Sequence, residues 1–406
     1  MNMTLTTSEA RMPYQKMLPL VFATSFFVFV EPAPFDLLAC LLMVFAFFPY
    51  LKSSNIPLKS FTVWSVIFTL LQILTLPPSI DVGQGIKYLA ITVYLNVFGL
   101  LLAAYIGRFG TKVIDCIMWG MYAGAAITAV VLLTTKVGVT GGLADIVLAN
   151  DYTRMRGFFK DPNVFGPALI PVFIYGWMSF QQKSSYRMIH MTMALVAAIL
   201  IILTLSRGAW VTFLGAAVLY YGLTLWSSNI RKFFSSMIMV TIGTVLMIPL
   251  MWAALDAADV KEIFEDRLTL QSYDEERFYI HHMLAEASLD NAYGHGPGQS
   301  NVHIRTYYTN VKEADAAHNT YLRVAFEQGW LGILAYMIFV IATAWVGLKA
   351  CLNKNAVTPY AIMSLSIFAA SVVSGLTVDT LHWRHFWIEV AFIWGIYALS
   401  FRQKSE

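Results

Sequence analysis

The sequence predicts an all-α polytopic membrane protein of about twelve transmembrane helices, with one large helical insert between spans 9 and 10. Three observations carry that class. Hydrophobic residues fill 58% of the 406 positions and charged ones 13%, where soluble chains carry roughly a quarter charged. Mean hydropathy is +0.63. The apolar residues come in runs near the ~20 that a helix needs to cross a bilayer, and the ~10-residue alternating segments of a membrane barrel are absent.

Taken in order, the spans read as 17–30, 35–51, 57–76, 88–106, 112–134, 162–180, 189–205, 208–226, 233–254, 329–348, 357–376 and 385–401. Arg11 and Lys16 precede the first run as in a signal peptide. That run ends at Val30-Glu31-Pro32 without a small-x-small cleavage site, so it reads as a retained helix. The shortest runs must borrow flanking residues or sit in a thinned bilayer. Spans 189–205 and 208–226 are parted only at Ser206-Arg207-Gly208, which demands a tight reversal at a membrane face. The chain thus divides into 1–254 (spans 1–9), 255–328 (the insert) and 329–406 (spans 10–12). Within the insert, 261–290 reads as helical, with Ile263, Phe264, Leu268 and Leu270 apolar, and Gly294 to Gly298 break it.

Charge orients this layout. Alternating twelve spans puts Arg11/Lys16, Lys52/Lys59, Arg108/Lys112, Lys183/Arg187, Arg231/Lys232, Lys349/Lys354 and Arg402/Lys404 on one side. By the positive-inside rule that side is cytoplasmic, and both termini lie there. Of the 24 acids, only Glu9, Asp115 and Glu406 fall near it. The insert, the segment 135–161, Arg207 and the turn Val378–Arg384 then share the far face.

Composition also excludes functions. A net charge of +3 with no basic run among aromatics argues against nucleic acid as a partner. Cys40, Cys116 and Cys351 are scattered and form neither a disulfide framework nor a metal site. There is no Walker A loop, His-Glu-x-x-His, Gly-x-Ser-x-Gly or Asp-x-Asp, and no cofactor motif or metal-ligand set is expected.

The residues that could carry chemistry gather on the far face. An arginine at membrane depth costs roughly 2.5–3.5 kcal/mol on insertion scales, so Arg207 either snorkels to the interface or faces a cavity. Gly208 behind it lets the chain turn and a ligand approach. Arg277, in Asp274-Glu275-Glu276-Arg277-Phe278, is either a surface arginine paired with Asp274 or a neighbouring acid, or a second cation of the same site. Guanidinium suits phosphate because it is planar, permanently charged and bidentate. His318, in His318-Asn319-Thr320-Tyr321-Leu322, is a helix-start histidine or a general base poised near neutral pH. His295 and His303 are further candidates, while the adjacent His281 and His282 cannot share a helix face as chelators. Arg154, Arg156 and Lys160 precede a span whose start is marked by Asp161 and Pro162. Three cations against the positive-inside bias suit an anionic head group.

Those residues resemble the O-antigen ligase and O-antigen polymerase superfamily. The likeness lies in Ser206-Arg207-Gly208-Ala209-Trp210, in Arg277 ahead of Gly294-x-Gly296-x-Gly298, and in His318-Asn319-Thr320-Tyr321-Leu322 followed by Glu327-x-Gly329-x-x-Gly332. It covers roughly Arg156 to Leu348, and the span layout extends it. The resemblance implies a metal-independent, inverting glycosyltransferase of the bacterial inner membrane, with its insert and active site periplasmic. Its donor would be a saccharide on undecaprenyl diphosphate and its acceptor a glycan or the lipid A-core. Arg207 and Arg277 would bind the diphosphate, His318 would activate the acceptor hydroxyl, and Arg156 and Lys160 would add contacts to the lipid diphosphate. Membrane lipids and a chain-length regulator are the other partners it allows. Lys160-Asp161-Pro162-Asn163 leans toward the polymerase of O-antigen or exopolysaccharide rather than the ligase, by resemblance alone. A lipid-linked oligosaccharide flippase or transporter is the reading from another class. It would predict internal symmetry and ionisable residues near several midplanes.

Overall fold

The computed structural model describes residues 12–53, 57–149, 152–227, 272–307 and 316–405, with Trp252, Asp256, Glu262 and Thr269 as isolated positions. Its described residues form helices and one two-stranded sheet, Leu148–Ala149 against Arg154–Met155. We number the helices α1 (Met17–Ala23), α2 (Pro34–Leu42), α3 (Pro57–Leu74), α4 (Val82–Phe109), α5 (Thr111–Lys136), α6 (Ala144–Val147) and α7 (Pro162–Gln181). After them come α8 (Arg187–Leu203), α9 (Arg207–Ser227), α10 (Ser272–Asp290), α11 (Gln299–Tyr307), α12 (Thr320–Leu352), α13 (Thr358–Ser374) and α14 (Arg384–Ser405).

Five described helices are long and apolar enough to cross a membrane: α4, α5, α7, α9 and α12. The 28 residues of α4 extend about 42 Å at ~1.5 Å each, beyond the ~30 Å hydrocarbon core. The shorter apolar helices include α3, α8 and α13. Many outward side chains, such as Leu20, Leu133, Met188 and Val218, are large, apolar and exposed, which suits lipid rather than water. The ninth span read from the sequence, 233–254, lies outside the described residues except Trp252, as does most of 255–271. Of the helix expected over 261–290, the part from Ser272 onward is described.

Local chemistry sets the helix ends. Asp81 caps α4 by accepting from the Gln84 N–H at 2.9 Å, and Gly110 at φ +78° breaks the chain between α4 and α5. Asp161 caps α7 by accepting from the Asn163 N–H at 2.8 Å, with Pro162 in the first turn. Gly120 and Gly124, one turn apart on α5, seat that helix on the backbone of α1: a Cβ at Gly124 would lie 2.6 Å from the Ala23 carbonyl oxygen. The core of the bundle is aromatic. Trp64 stacks on Phe339 at 3.6 Å between centroids, and Phe61 stacks on Trp387 and Trp394. A second, small core of Ile280, Met283, Leu284, Ile304, Ala317 and Phe326 docks α10 and α11 onto the start of α12.

α12 is two helices merged across a kink at Gly329, whose φ is +65°. The backbone there interlocks with the glycine-rich loop. The Gly296 N–H donates to the Glu327 carbonyl at 2.8 Å, His295 N–H to Phe326 at 3.0 Å, and Trp330 N–H to Ala292 at 3.0 Å. A Cβ on Gly294 would stand 2.6 Å from the Gly329 nitrogen, and one on Gly329 would strike the Ala292 carbonyl. Only glycine fits either position.

Candidate active site

A cavity of about 650 Å³ opens at one end of the bundle. Its walls come from far-apart stretches of chain: 154–163, 205–209, the first turns of α10, His318, and the end of α13 with 376–378. The five residues to which the resemblance assigned roles all line it: Arg207, Arg277, His318, Arg156 and Lys160. Arg154 joins them, so five cationic side chains face three carboxylates, Asp161, Asp274 and Glu276. His295 and His303 are not among the lining residues. His295 stacks on Phe326 instead, at 4.1 Å, and belongs to the glycine interlock.

Arg207 opens α9 directly after a tight reversal. Leu205 takes φ +52°, and Ser206 caps the helix by accepting from the Ala209 N–H at 3.3 Å. Gly208 keeps the turn close to the chain after α13, since a Cβ there would meet Thr377 Oγ1 at 3.1 Å. The guanidinium does not snorkel away. Its Nη2 donates to Asp274 Oδ2 at 2.5 Å and its Nη1 to the Thr269 carbonyl at 2.9 Å. The side chain of Arg207 is 30% exposed and that of Asp274 11%, so the pair sits at the cavity wall. The acid that the sequence offered to Arg277 thus meets Arg207.

Arg277 and His281 are one turn apart on α10 and both line the cavity. His281 donates its Nε2–H to the Ala317 carbonyl at 3.0 Å, which assigns the proton to Nε2 because a carbonyl only accepts. Burial, with Arg277 nearby, lowers the affinity of His281 for a second proton, and the Ala317 bond opposes that shift. His281 therefore ties the Arg277 helix to the peptide that precedes His318.

His318 itself stands at φ +45°, just outside the cap of α12. The rest of its motif is scaffold. Asn319 Oδ1 accepts from the N–H groups of Tyr321 and Leu322 at 3.0 Å, and Asn319 Nδ2 donates to the Leu376 carbonyl at 3.2 Å. The Thr320 hydroxyl donates to Val378 O and accepts from Thr380 N, and the Tyr321 hydroxyl donates to Val372 O. These bonds staple the start of α12 to the end of α13 and leave His318 facing the cavity.

Glu327 and Gly329 also build rather than line. Arg323, fully buried, pairs with Glu327 at 3.2 Å and with Asp379, and it lies 4.6 Å from the Tyr88 ring. Ser300 adds a 2.7 Å hydroxyl bond to Glu327. Beside Arg207, Arg154 holds the Thr204 carbonyl at 3.0 Å and Asn163 Oδ1 at 3.1 Å, bracing the turn that presents Arg207. Arg156 donates to the carbonyls of Asp145, Ile146 and Lys160, neutral acceptors that leave its charge uncompensated by them. Lys160 pairs with Glu31 at 2.8 Å, both side chains 55% exposed, an ion pair worth little in water. Sequence reasoning passed over Asp274, Glu276, His281 and the 374–378 wall as parts of the site. The acids and His281 stood beside Arg277, but nothing local in the sequence marked α13.

Comparison with known families adds a match of residues 192–337 to the model described as O-antigen ligase. Over that stretch the chain is similar to the O-antigen ligase family. The resemblance read from the motifs holds over that stretch, which contains Arg207, Arg277, His318 and the Glu327–Gly332 motif and leaves out Arg156 and Lys160. A search of the curated proteins found no match. With its long apolar helices, the chain is a multi-pass membrane protein that is similar, over residues 192–337, to the O-antigen ligase family.

Proposed function

We propose that this protein transfers a saccharide from undecaprenyl diphosphate to an acceptor hydroxyl at the periplasmic face of the inner membrane. One observation carries the reading: Arg207, Arg277 and His318 converge on one cavity from three separate stretches of chain, and Arg156 and Lys160 line it too. The acceptor oxygen attacks the anomeric carbon while the bond from that carbon to the diphosphate oxygen breaks. Negative charge grows on the departing lipid diphosphate, and Arg207 and Arg277 stabilise it. Fixed donors of this kind are worth about 10²–10³ in rate each. His318 takes the proton of the attacking hydroxyl from the other side, a step worth about 10²–10⁴. Attack opposite the leaving group inverts the anomeric centre, and the guanidinium groups fill the electrostatic role without a metal.

Lys160-Asp161-Pro162-Asn163, which leaned toward a polymerase, serves here to start α7 and to reach Glu31. It names no acceptor. The ligase and polymerase branches separate by phenotype: deleting the gene leaves long lipid-linked glycan beside bare lipid A-core for a ligase, and short unpolymerised units for a polymerase. The reaction itself is tested with purified protein, lipid-linked saccharide and acceptor. Arg207→Ala, Arg277→Ala and His318→Ala should each abolish transfer in folded protein, and full activity in all three would sink the mechanism.

A further inference from the structure

Two oxygen atoms in the cavity wall have no hydrogen-bond partner among the described residues: Glu276 Oε2 and Ser374 Oγ. Both atoms are out of contact with solvent, and Ser374 as a whole is 1% exposed. Buried polar atoms are nearly always paired, so two orphans in one cavity call for a physical reason. The other carboxylates of the wall are engaged, Asp161 by the Asn163 N–H and Asp274 by Arg207. Ser374 also departs from its own helix. Ser364 and Ser366 on α13 return their hydroxyls to the carbonyls one turn back, at 2.7 and 2.8 Å, and Ser374 does not.

The chemistry of these two atoms limits what they bind. A carboxylate is above all a hydrogen-bond acceptor, and Glu276 shares its wall with the cations of the cavity. Diphosphate oxygens carry no proton to offer it and repel it, and an isoprenoid chain has no polar group. A sugar offers hydroxyl donors to Glu276 and both donors and acceptors to Ser374. We infer that Glu276 and Ser374 form a saccharide-hydroxyl subsite within the cationic cavity, beside the arginines that take the diphosphate. The subsite rests on the diphosphate reading above and gives that reading its sugar-facing wall. Its ligand is a sugar ring of either the donor or the acceptor.

The test uses the full chain in nanodiscs and two probes, undecaprenyl diphosphate and the lipid-linked saccharide that accumulates in source cells lacking the gene. Glu276→Gln and Ser374→Ala should both bind undecaprenyl diphosphate within about twofold of wild type. If the sugar belongs to the donor, the preference for the saccharide-bearing probe falls about fivefold or more in each variant. If it belongs to the acceptor, that preference holds and the acceptor KM rises by a similar factor. Ser374→Ala should melt no lower than wild type, because alanine leaves no orphaned hydroxyl. An unchanged preference together with an unchanged KM overturns the subsite, and so does a matching loss of undecaprenyl diphosphate binding. A fall in melting temperature makes Ser374 a packing residue. Should wild-type protein bind neither probe, the diphosphate reading falls and takes the subsite with it.

Discussion

Replacing Arg207 by lysine keeps the positive charge and removes the fork. The wild-type guanidinium reaches two acceptors at once, the Thr269 carbonyl through Nη1 and Asp274 through Nη2. A single ammonium on a shorter stem cannot span both, so at least one of these bonds is lost in Arg207→Lys. A neutral hydrogen bond to a carbonyl contributes about 0.5–1.5 kcal/mol and a charge-assisted one about 1.5–3, and partial exposure pulls both toward the low end. The fold should therefore tolerate the change, with a fall of a few degrees in melting temperature. Catalysis should not. Loss of one aligned donor to a developing oxyanion costs about 2.7–4 kcal/mol, so transfer should slow by about 10²–10³-fold. Single-turnover transfer from lipid-linked saccharide in nanodiscs, run beside a thermal melt, reads both quantities. A lysine variant that keeps more than about a third of the wild-type rate would refute the argument that geometry, beyond charge, is required.

Other outcomes follow from the same structure. His281→Ala should lower kcat about tenfold with little change in donor affinity, because it frees the peptide before His318, and His281→Gln should restore part of the rate by returning an N–H donor. His281, His303 and His382 all bind protons less readily in the fold, chiefly through burial, and His382 is lowered to about 3. A depressed histidine leaves the unfolded chain holding more protons, so stability is full above the ordinary histidine pKa near ~6.5 and falls as pH drops below it. Melting temperature should decline from pH 7 to pH 5, with a shallower slope in His281→Gln. Gly329→Ala should destabilise by more than about 2 kcal/mol through its left-handed φ and its clash with Ala292, whereas Gly222→Ala, which meets nothing, should be neutral in the same melt. Glu327→Gln strips a buried arginine of one partner and should cost about 3–5 kcal/mol in a denaturation series.

The parts of this fold that depend on local chemistry were legible in the sequence. The sequence puts the sixth span at 162–180 and the helix is Pro162–Gln181, because Asp161 and Pro162 announce its start in any context. The eighth, read as 208–226, is Arg207–Ser227 for a similar reason. Hydropathy starts the tenth span at 329, yet α12 begins at Thr320. Its first turns carry Arg323 and Glu327, polar residues that hydropathy assigns to water but that Asp379, Ser300 and Tyr88 engage inside the fold. The partners that make those residues internal are distant in the chain and leave no local trace. The cavity divides the same way. Cations placed against the positive-inside bias stood out, while Asp274, Glu276 and Ser374 acquire meaning only from what surrounds them.

The interlock of Gly294 and Gly296 with the kink at Gly329 has a practical consequence for grafting. Exchanging the polar segment between relatives to change the sugar that is handled invites a cut at the hydropathy boundary near residue 329. That cut would run through the joint, pairing one parent's loop with the other's kink. A chimera that takes 272–332 as one cassette, glycine loop and kink together, carries the joint across intact. Its second junction then falls beyond Gly332, so the recipient keeps its own Phe339 and the packing of that residue on Trp64.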